Sequence, residues 1–131
     1  MTQDMETCFF CPMPPERAIV NNELAYALRD GFPVTPLHTI VIPRRHVPDY
    51  FSLTHDELLA CDALMRRVRE MVLAQDTSVE GFNIGINVGA LAGQTIYHCH
   101  FHLIPRRRGD VANPRGGIRN VIPGKGDYLG L

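Results

Sequence analysis

The sequence predicts an α+β fold of about five short strands and one long helix. Two observations carry this. Short runs rich in β-branched and aromatic residues are separated by Gly, Pro and Asn turn signals. A single longer stretch, from Thr54 to about Ala74, has helical periodicity and opens with a capping signal. A third feature bears on chemistry. His98, His100 and His102 fall at every second position within Gln94–Pro105, so three of the six histidines share one short segment.

In chain order, residues 1–7 are expected to form a loose terminus. Cys8-Phe9-Phe10-Cys11 follows. A C-x-x-C pair suits half of a tetrahedral zinc site or a redox dithiol. A redox dithiol normally opens a helix, and Pro12-Met13-Pro14-Pro15 is poor helix material, so zinc is the preferred reading. Ala18-Ile19-Val20 and Leu24–Leu28 read as two strands around an Asn21-Asn22 turn. Arg29–Pro36 is a loop, and His38–Ile42 is a buried strand stopped by Pro43.

Thr54 with Glu57 three residues on makes a capping box. Leu58, Cys61, Met65, Val68 and Val72 form the expected apolar stripe, with Asp62, Arg66, Arg67, Arg69 and Glu70 on the outer side. Cys61, on that stripe, is expected to be a packed free thiol, and His55 an exposed residue at the helix start. Glu80–Asn87 reads as a strand, and Gly89–Gly93 as a small-residue loop whose glycines let backbone N–H groups approach an oxyanion. The tail from Arg106 to Leu131 has too much Gly and Pro for regular structure.

Composition narrows the class. At 131 residues, 45% hydrophobic and 21% charged, the chain suits one domain spanning residues 1–131. Its apolar runs are too short to cross a membrane, and the acidic, polar start is no secretory signal, so a cytoplasmic protein with reduced thiols is expected. The net charge is −1, yet Arg106, Arg107, Arg108, Arg115, Arg119 and Lys125 cluster beyond the histidines. Such a segment suits an anionic substrate, phosphate in particular, against the simpler reading of a solvated basic tail.

In a strand, His98, His100 and His102 would share one face, with Cys99, Phe101 and Leu103 on the other. The residues alone leave three readings: a polar sheet face, a three-histidine metal site, or nucleophilic and acid–base chemistry at an imidazole.

His98-Cys99-His100-Phe101-His102-Leu103-Ile104, preceded by Asn87-Val88-Gly89 and Ala92-Gly93-Gln94-Thr95, resembles the histidine triad family of nucleotide-binding hydrolases and transferases. His38-Thr39-Ile40-Val41-Ile42-Pro43-Arg44-Arg45-His46 extends the likeness, which covers roughly residues 8–108. The resemblance implies an antiparallel sheet carrying one long helix, usually in a homodimer. It implies attack on the α-phosphorus of a nucleotide through a nucleotidyl-histidine. His100 matches the nucleophile, His102 the residue that helps hold it, and His38 the residue that orients the triad from across the sheet. Gln94 and Thr95, with Asn87 and Gly93 beside them, match the contacts to phosphate and leaving group, and Asp30 the contact to the ribose hydroxyls. In some branches Cys8, Cys11, His46 and His98 match a structural Zn2+ site, closed to water.

The implied substrate is a purine nucleotide with an AMP or GMP moiety, as a dinucleoside polyphosphate or a nucleoside phosphoramidate. No nucleic-acid or membrane partner is expected. The alternatives are a zinc-stabilised nucleotide-binding module without catalysis, and a metallohydrolase that holds zinc in the three histidines.

Overall fold

A computed structural model describes residues 8–11 and 15–130. The loose terminus expected over residues 1–7 lies outside the described residues, as do Pro12, Met13 and Pro14. The sheet has five strands: β1 (Val20–Asn21), β2 (Ala25–Arg29), β3 (Thr39–Pro43), β4 (Val79–Gly85) and β5 (Phe101–Arg107). They lie in the order β1-β2-β3-β5-β4, every neighbouring pair antiparallel. One long helix, α1 (His55–Gln75), covers one face. The α+β architecture read from the sequence is the one observed.

Each element has a local cause. The β1–β2 turn is an Asx turn: Asn22 Oδ1 accepts from the N–H groups of Leu24 and Ala25 at 3.1 and 2.9 Å. The capping box of α1 is complete, with Glu57 N–H donating to Thr54 Oγ1 at 3.1 Å and Thr54 N–H to Glu57 Oε1 at 2.9 Å. Glu57 is buried and keeps its charge because Arg45 clamps it with two hydrogen bonds of 2.8 and 3.0 Å. That guanidinium holds the Glu57 carboxyl below the usual carboxylate range. Thr54→Ala is expected to cost about 0.5–2 kcal/mol of stability, read as a lower urea midpoint with unchanged m value.

The buried stripe of α1 is Cys61, Leu64, Val68 and Val72. Leu64 takes the place expected of Met65, and both Met65 and the expected Leu58 are half-buried at the margin. The stripe meets Ala25, Ala27, Val41, Phe101 and Leu103 of the sheet. Alternate residues on the other face, Tyr26, Leu28, Ile40 and Ile42, form a second cluster with Cys8 and Phe10. His55 is exposed at the helix start and Cys61 is a free buried thiol, both as read.

Strand limits differ from expectation throughout. β1 starts only at Val20 and takes in Asn21, and β2 and β3 are each shifted one residue later, so that β3 includes Pro43. The larger differences fall in β4 and β5. β4 ends at Gly85, before Asn87. β5 starts only at Phe101 and runs through Pro105 to Arg107, so the tail begins later than Arg106, and it is not wholly irregular, since Gly117–Val121 form a 3-10 helix. Pro105 is tolerated because the β3–β5 pairing ends at Leu103, leaving no ladder bond for its missing N–H; its carbonyl instead accepts from Thr35 Oγ1 at 2.7 Å. Among the described residues no helix is long and apolar enough to cross a membrane.

Candidate functional site

The sheet register sets up the site. Leu28 on β2 pairs with Ile40 on β3, Ile40 with His102 on β5, and His102 with Gly85 on β4, so these four share the face away from α1. Asp30 and His38 extend that face one step past β2 and β3, joined by Asp30 N–H to His38 O at 2.9 Å. Leu37 has a positive φ of 70°, a strained backbone that directly precedes His38.

The alternation expected of the histidine segment persists beyond the strand. Cys99, Phe101 and Leu103 are buried against α1, whereas His100 and His102 lie on the opposite face. The three rings nevertheless do not converge. Each Nδ1 has a different partner, and those partners assign the tautomers.

His38 Nδ1 accepts from Val34 N–H at 3.0 Å, which leaves the proton of the neutral ring on Nε2. That N–H donates to His102 Nδ1 at 2.9 Å. His102 therefore carries its own proton on Nε2, as a donor. His100 Nδ1 lies 2.8 Å from the carbonyl oxygen of His98 and must donate to it, since a carbonyl only accepts. The remaining nitrogen, His100 Nε2, keeps an unprotonated lone pair. The His100 and His102 ring centroids are 5.1 Å apart.

Asp30 sits beside this relay. Its Oδ2 lies 3.5 Å from His38 Nε2 and 3.8 Å from His102 Nδ1, and its Oδ1 accepts from Phe32 N–H at 2.8 Å. Asp30, His38 and His102 are close enough to hold an ion. The Val34 bond argues for a hydrogen-bonded relay there, because a metal on Nε2 would require His38 to lose either that bond or its last proton.

The His98 ring serves a different centre. Its Nδ1 lies 3.3 Å from Cys8 Sγ, 3.2 Å from Cys11 Sγ and 3.2 Å from His46 Nδ1. Cys11 Sγ is also 3.5 Å from His46 Nδ1. One lone pair cannot accept three hydrogen bonds, whereas a cation among the four ligand atoms accounts for every contact. His98 Nε2–H donates to Pro43 O at 2.7 Å, which fixes the tautomer with Nδ1 free for a metal. Cys8, Cys11, His46 and His98 can thus hold a metal ion. The His98 ring is thus committed to this group, and it is the His98 backbone carbonyl that serves His100.

Burial dominates the acid–base behaviour. It pushes His102 down to about 4, with the His100 and His38 rings adding to the shift and Asp30 opposing it. His38 and His100 are lowered by burial in the same way, His38 against Asp30, and His100 against its hydrogen bond to the His98 carbonyl and then Asp30. At neutral pH all three are neutral, as the tautomer chain requires. Because the folded value of His102 lies below its ordinary 6.5, the unfolded chain binds more protons between 6.5 and about 4. Stability is therefore expected to be full above 6.5 and to fall as pH drops toward 4. Urea titrations across that window should show the slope, and His102→Gln should make it shallower, leaving the share of His38 and His100.

Other residues singled out in the sequence are placed as follows. Gln94 is buried, its Nε2 donating to Pro48 O at 2.6 Å and Ile96 O at 3.1 Å, while Oε1 accepts from Gly89 N–H at 2.9 Å. Both amide protons are spent inside the protein, so a phosphate contact from Gln94 would require releasing one. The small-residue loop forms a 3-10 turn over Ala90–Ala92 between Gly89 and Gly93, whose φ values are 92° and 95°. The N–H groups of Ala92, Gly93 and Gln94 all bond within that turn rather than facing outward. Asn87 and Thr95 are exposed.

The basic segment is largely neutralised. Arg106 pairs with Asp110 at 2.8 Å, Arg107 with Asp76 at 3.0 Å, Arg108 with Glu80 at 2.8 Å and Arg115 with Asp127 at 3.5 Å. Arg119 stacks 4.4 Å over the Tyr128 ring. The site residues that sequence reasoning missed are Val34, through its N–H, and Pro43, through its carbonyl. Backbone groups leave no signal in residue type.

The profile of the HIT domain matches residues 13–109. An uncharacterized HIT-like protein from Methanocaldococcus jannaschii is 32% identical over 119 residues, 87% of this chain and 91% of that protein. A bis(5'-adenosyl)-triphosphatase from Dictyostelium discoideum is 33% identical over 111 residues, 83% of this chain and 74% of that enzyme. Among solved structures, a Zn-bound histidine triad family protein from Mycobacterium smegmatis superposes with a TM-score of 0.74 at 31% identity, over 84% of this chain and 82% of that one. With its histidine segment, sheet order and single long helix all accounted for, the chain belongs to the HIT domain family.

Proposed function

We propose that the protein is a nucleotide hydrolase or nucleotidyl transferase that attacks the α-phosphate through a nucleotidyl-His100 intermediate. The observation that carries this reading is the bond from His100 Nδ1 to His98 O, which leaves Nε2 as the unprotonated nitrogen of that ring. Nε2 attacks the α-phosphorus and the bond to the leaving oxygen or nitrogen breaks, its electron pair going to the leaving group. Water, or another acceptor, then displaces His100 and restores the lone pair. His102 Nε2–H, held by His38, is a donor for the charge that grows on the phosphoryl oxygens. Thr95, Asn87 and Gly93 are assigned to the phosphate and leaving group, and Gln94 to closing the loop that carries them. Asp30 is assigned to the ribose hydroxyls.

A dinucleoside polyphosphate is the favoured substrate. Support comes from the triphosphatase relative and from a bis(5'-nucleosyl)-tetraphosphatase of Schizosaccharomyces pombe, 42% identical over 80 residues, 61% of this chain and 43% of that enzyme. The neutralised tail gives the polyphosphate no added support. Hydrolysis in 18O-labelled water tests the reading across adenosine and guanosine polyphosphates and phosphoramidates. Label in the released nucleoside monophosphate is expected; label confined to the leaving group would contradict it.

The ion proposed for the Cys2His2 group is zinc. Bonds of about 2.3 Å to sulfur and about 2.0 Å to nitrogen place tetrahedral ligands about 3.3–3.8 Å apart, close to the separations found here. Burial and the neighbouring Cys8 push the Cys11 thiol up to about 12, so a cation is needed to hold it as thiolate. Zinc would tie the N-terminal segment to the sheet. A homodimer remains part of the proposal.

A further inference from the structure

The metal-binding knuckle and the nucleophile share more than sequence proximity. His98 joins the Cys8–Cys11–His46 group through its ring and holds His100 through its carbonyl. A second link runs through Phe10, which lies between the two cysteines and is 4% exposed. Its ring meets the His98 ring with centroids 5.9 Å apart at 89°, and the His100 ring at 5.3 Å and 66°.

Phe10 has little freedom of its own. Its N–H donates to Cys8 Sγ at 3.3 Å, its carbonyl accepts from Tyr26 Oη–H at 2.8 Å, and its ring packs with Leu28, Ile40 and Ile42. Cys11 N–H closes the knuckle on Cys8 O at 3.2 Å. A ring held this way occupies space into which the His100 imidazole would have to swing to break its Nδ1–H bond.

We infer that the C-x-x-C knuckle positions the nucleophile: Phe10 is a positioning residue that, with the His98 carbonyl, locks the ring plane and tautomer of His100. This rests on the proposed role of His100, and it extends the metal's part beyond anchoring the N-terminal segment. Neither coupling involves a proton leaving the site. Both act by restricting the imidazole to the one orientation that presents Nε2.

The test compares wild type, the metal-stripped protein and Phe10→Leu, which retains all four ligands and an apolar side chain. Metal content, kcat, KM and the 15N NMR signals of the His100 ring are measured for each. Phe10→Leu is expected to keep its metal, hold KM within about twofold, and lose on the order of tenfold to a hundredfold in kcat. Its His100 signals should report mixed tautomers, where wild type reports a proton on Nδ1 alone. Metal stripping should give the same spectral change; if it unfolds the protein, Phe10→Leu decides alone. Unchanged kcat and an unchanged single tautomer in Phe10→Leu would overturn the inference. The spectra need no turnover, so a wild type that forms no nucleotidyl-His100 would sink the functional reading while leaving this inference to the NMR result.

Discussion

His100→Ala is expected to lower turnover at least about a thousandfold while nucleotide affinity stays within a few-fold of wild type. The asymmetry follows from the tautomer chain. His38 is committed to Val34 N–H and His102, His102 Nδ1 is committed to His38, and His98 Nδ1 faces the cysteines. Of these four rings, only His100 keeps an uncommitted ring lone pair, on Nε2. Removing it leaves water to attack the phosphoanhydride or phosphoramidate with no covalent route, although the residues assigned to ribose and phosphate remain. Single-turnover assays and equilibrium binding on the same preparation separate the two quantities. Retained turnover would take His100 out of its role, and lost binding would mean that the substitution had disturbed the sheet face.

Cys8→Ser is expected to abolish stoichiometric metal binding and to lower the thermal midpoint by about 10 °C or more. Phe10, the carbonyl bond from Tyr26 and the buried His98 ring all depend on the knuckle that Cys8 begins. A structural zinc supplies folding energy directly, so a chelator should bring wild type down to the same midpoint. Cys61→Ser is the control, because that thiol lies under α1 in the core, pushed up to about 12 by burial. It should cost core stability and leave metal content intact. Equal midpoints for Cys8→Ser, chelated and untreated protein would show that the four residues hold no structural ion.

The parts of the fold written in local chemistry were legible from residues alone. Thr54 and Glu57 specify the start of α1, and the helix ends one residue past the expected position, at Gln75. The choice between Leu64 and Met65 was not legible, since both lie near the same stripe and the sheet decides which is covered. The histidine alternation separated Cys99, Phe101 and Leu103 from the histidine face, yet the strand begins only at Phe101, and the His98 ring before it meets Cys8 and Cys11, far away in sequence.

Long-range pairing explains the other differences. Six cations after Pro105 read as an anion-binding segment, but Asp76 and Glu80 lie near β4 and reach Arg107 and Arg108 only once the sheet is formed. Gln94 read as a phosphate ligand by resemblance, whereas its carboxamide closes its own loop on Pro48 and Gly89. Half of the Cys2His2 group was legible in residue type, as the Cys8–Cys11 pair; His46 and His98 joined it only through the resemblance, and the partner of His98 Nε2, the Pro43 carbonyl, could come only from coordinates.

The central claim is a covalent bond between His100 Nε2 and the α-phosphorus. It is tested by quenching a dinucleoside polyphosphate reaction into alkali within the first turnover and mapping the modified peptide by mass spectrometry. The account predicts one nucleotidyl group on His100, absent in His100→Ala. Turnover at full rate with no adduct, or an adduct carried by His98 or His102, would contradict it.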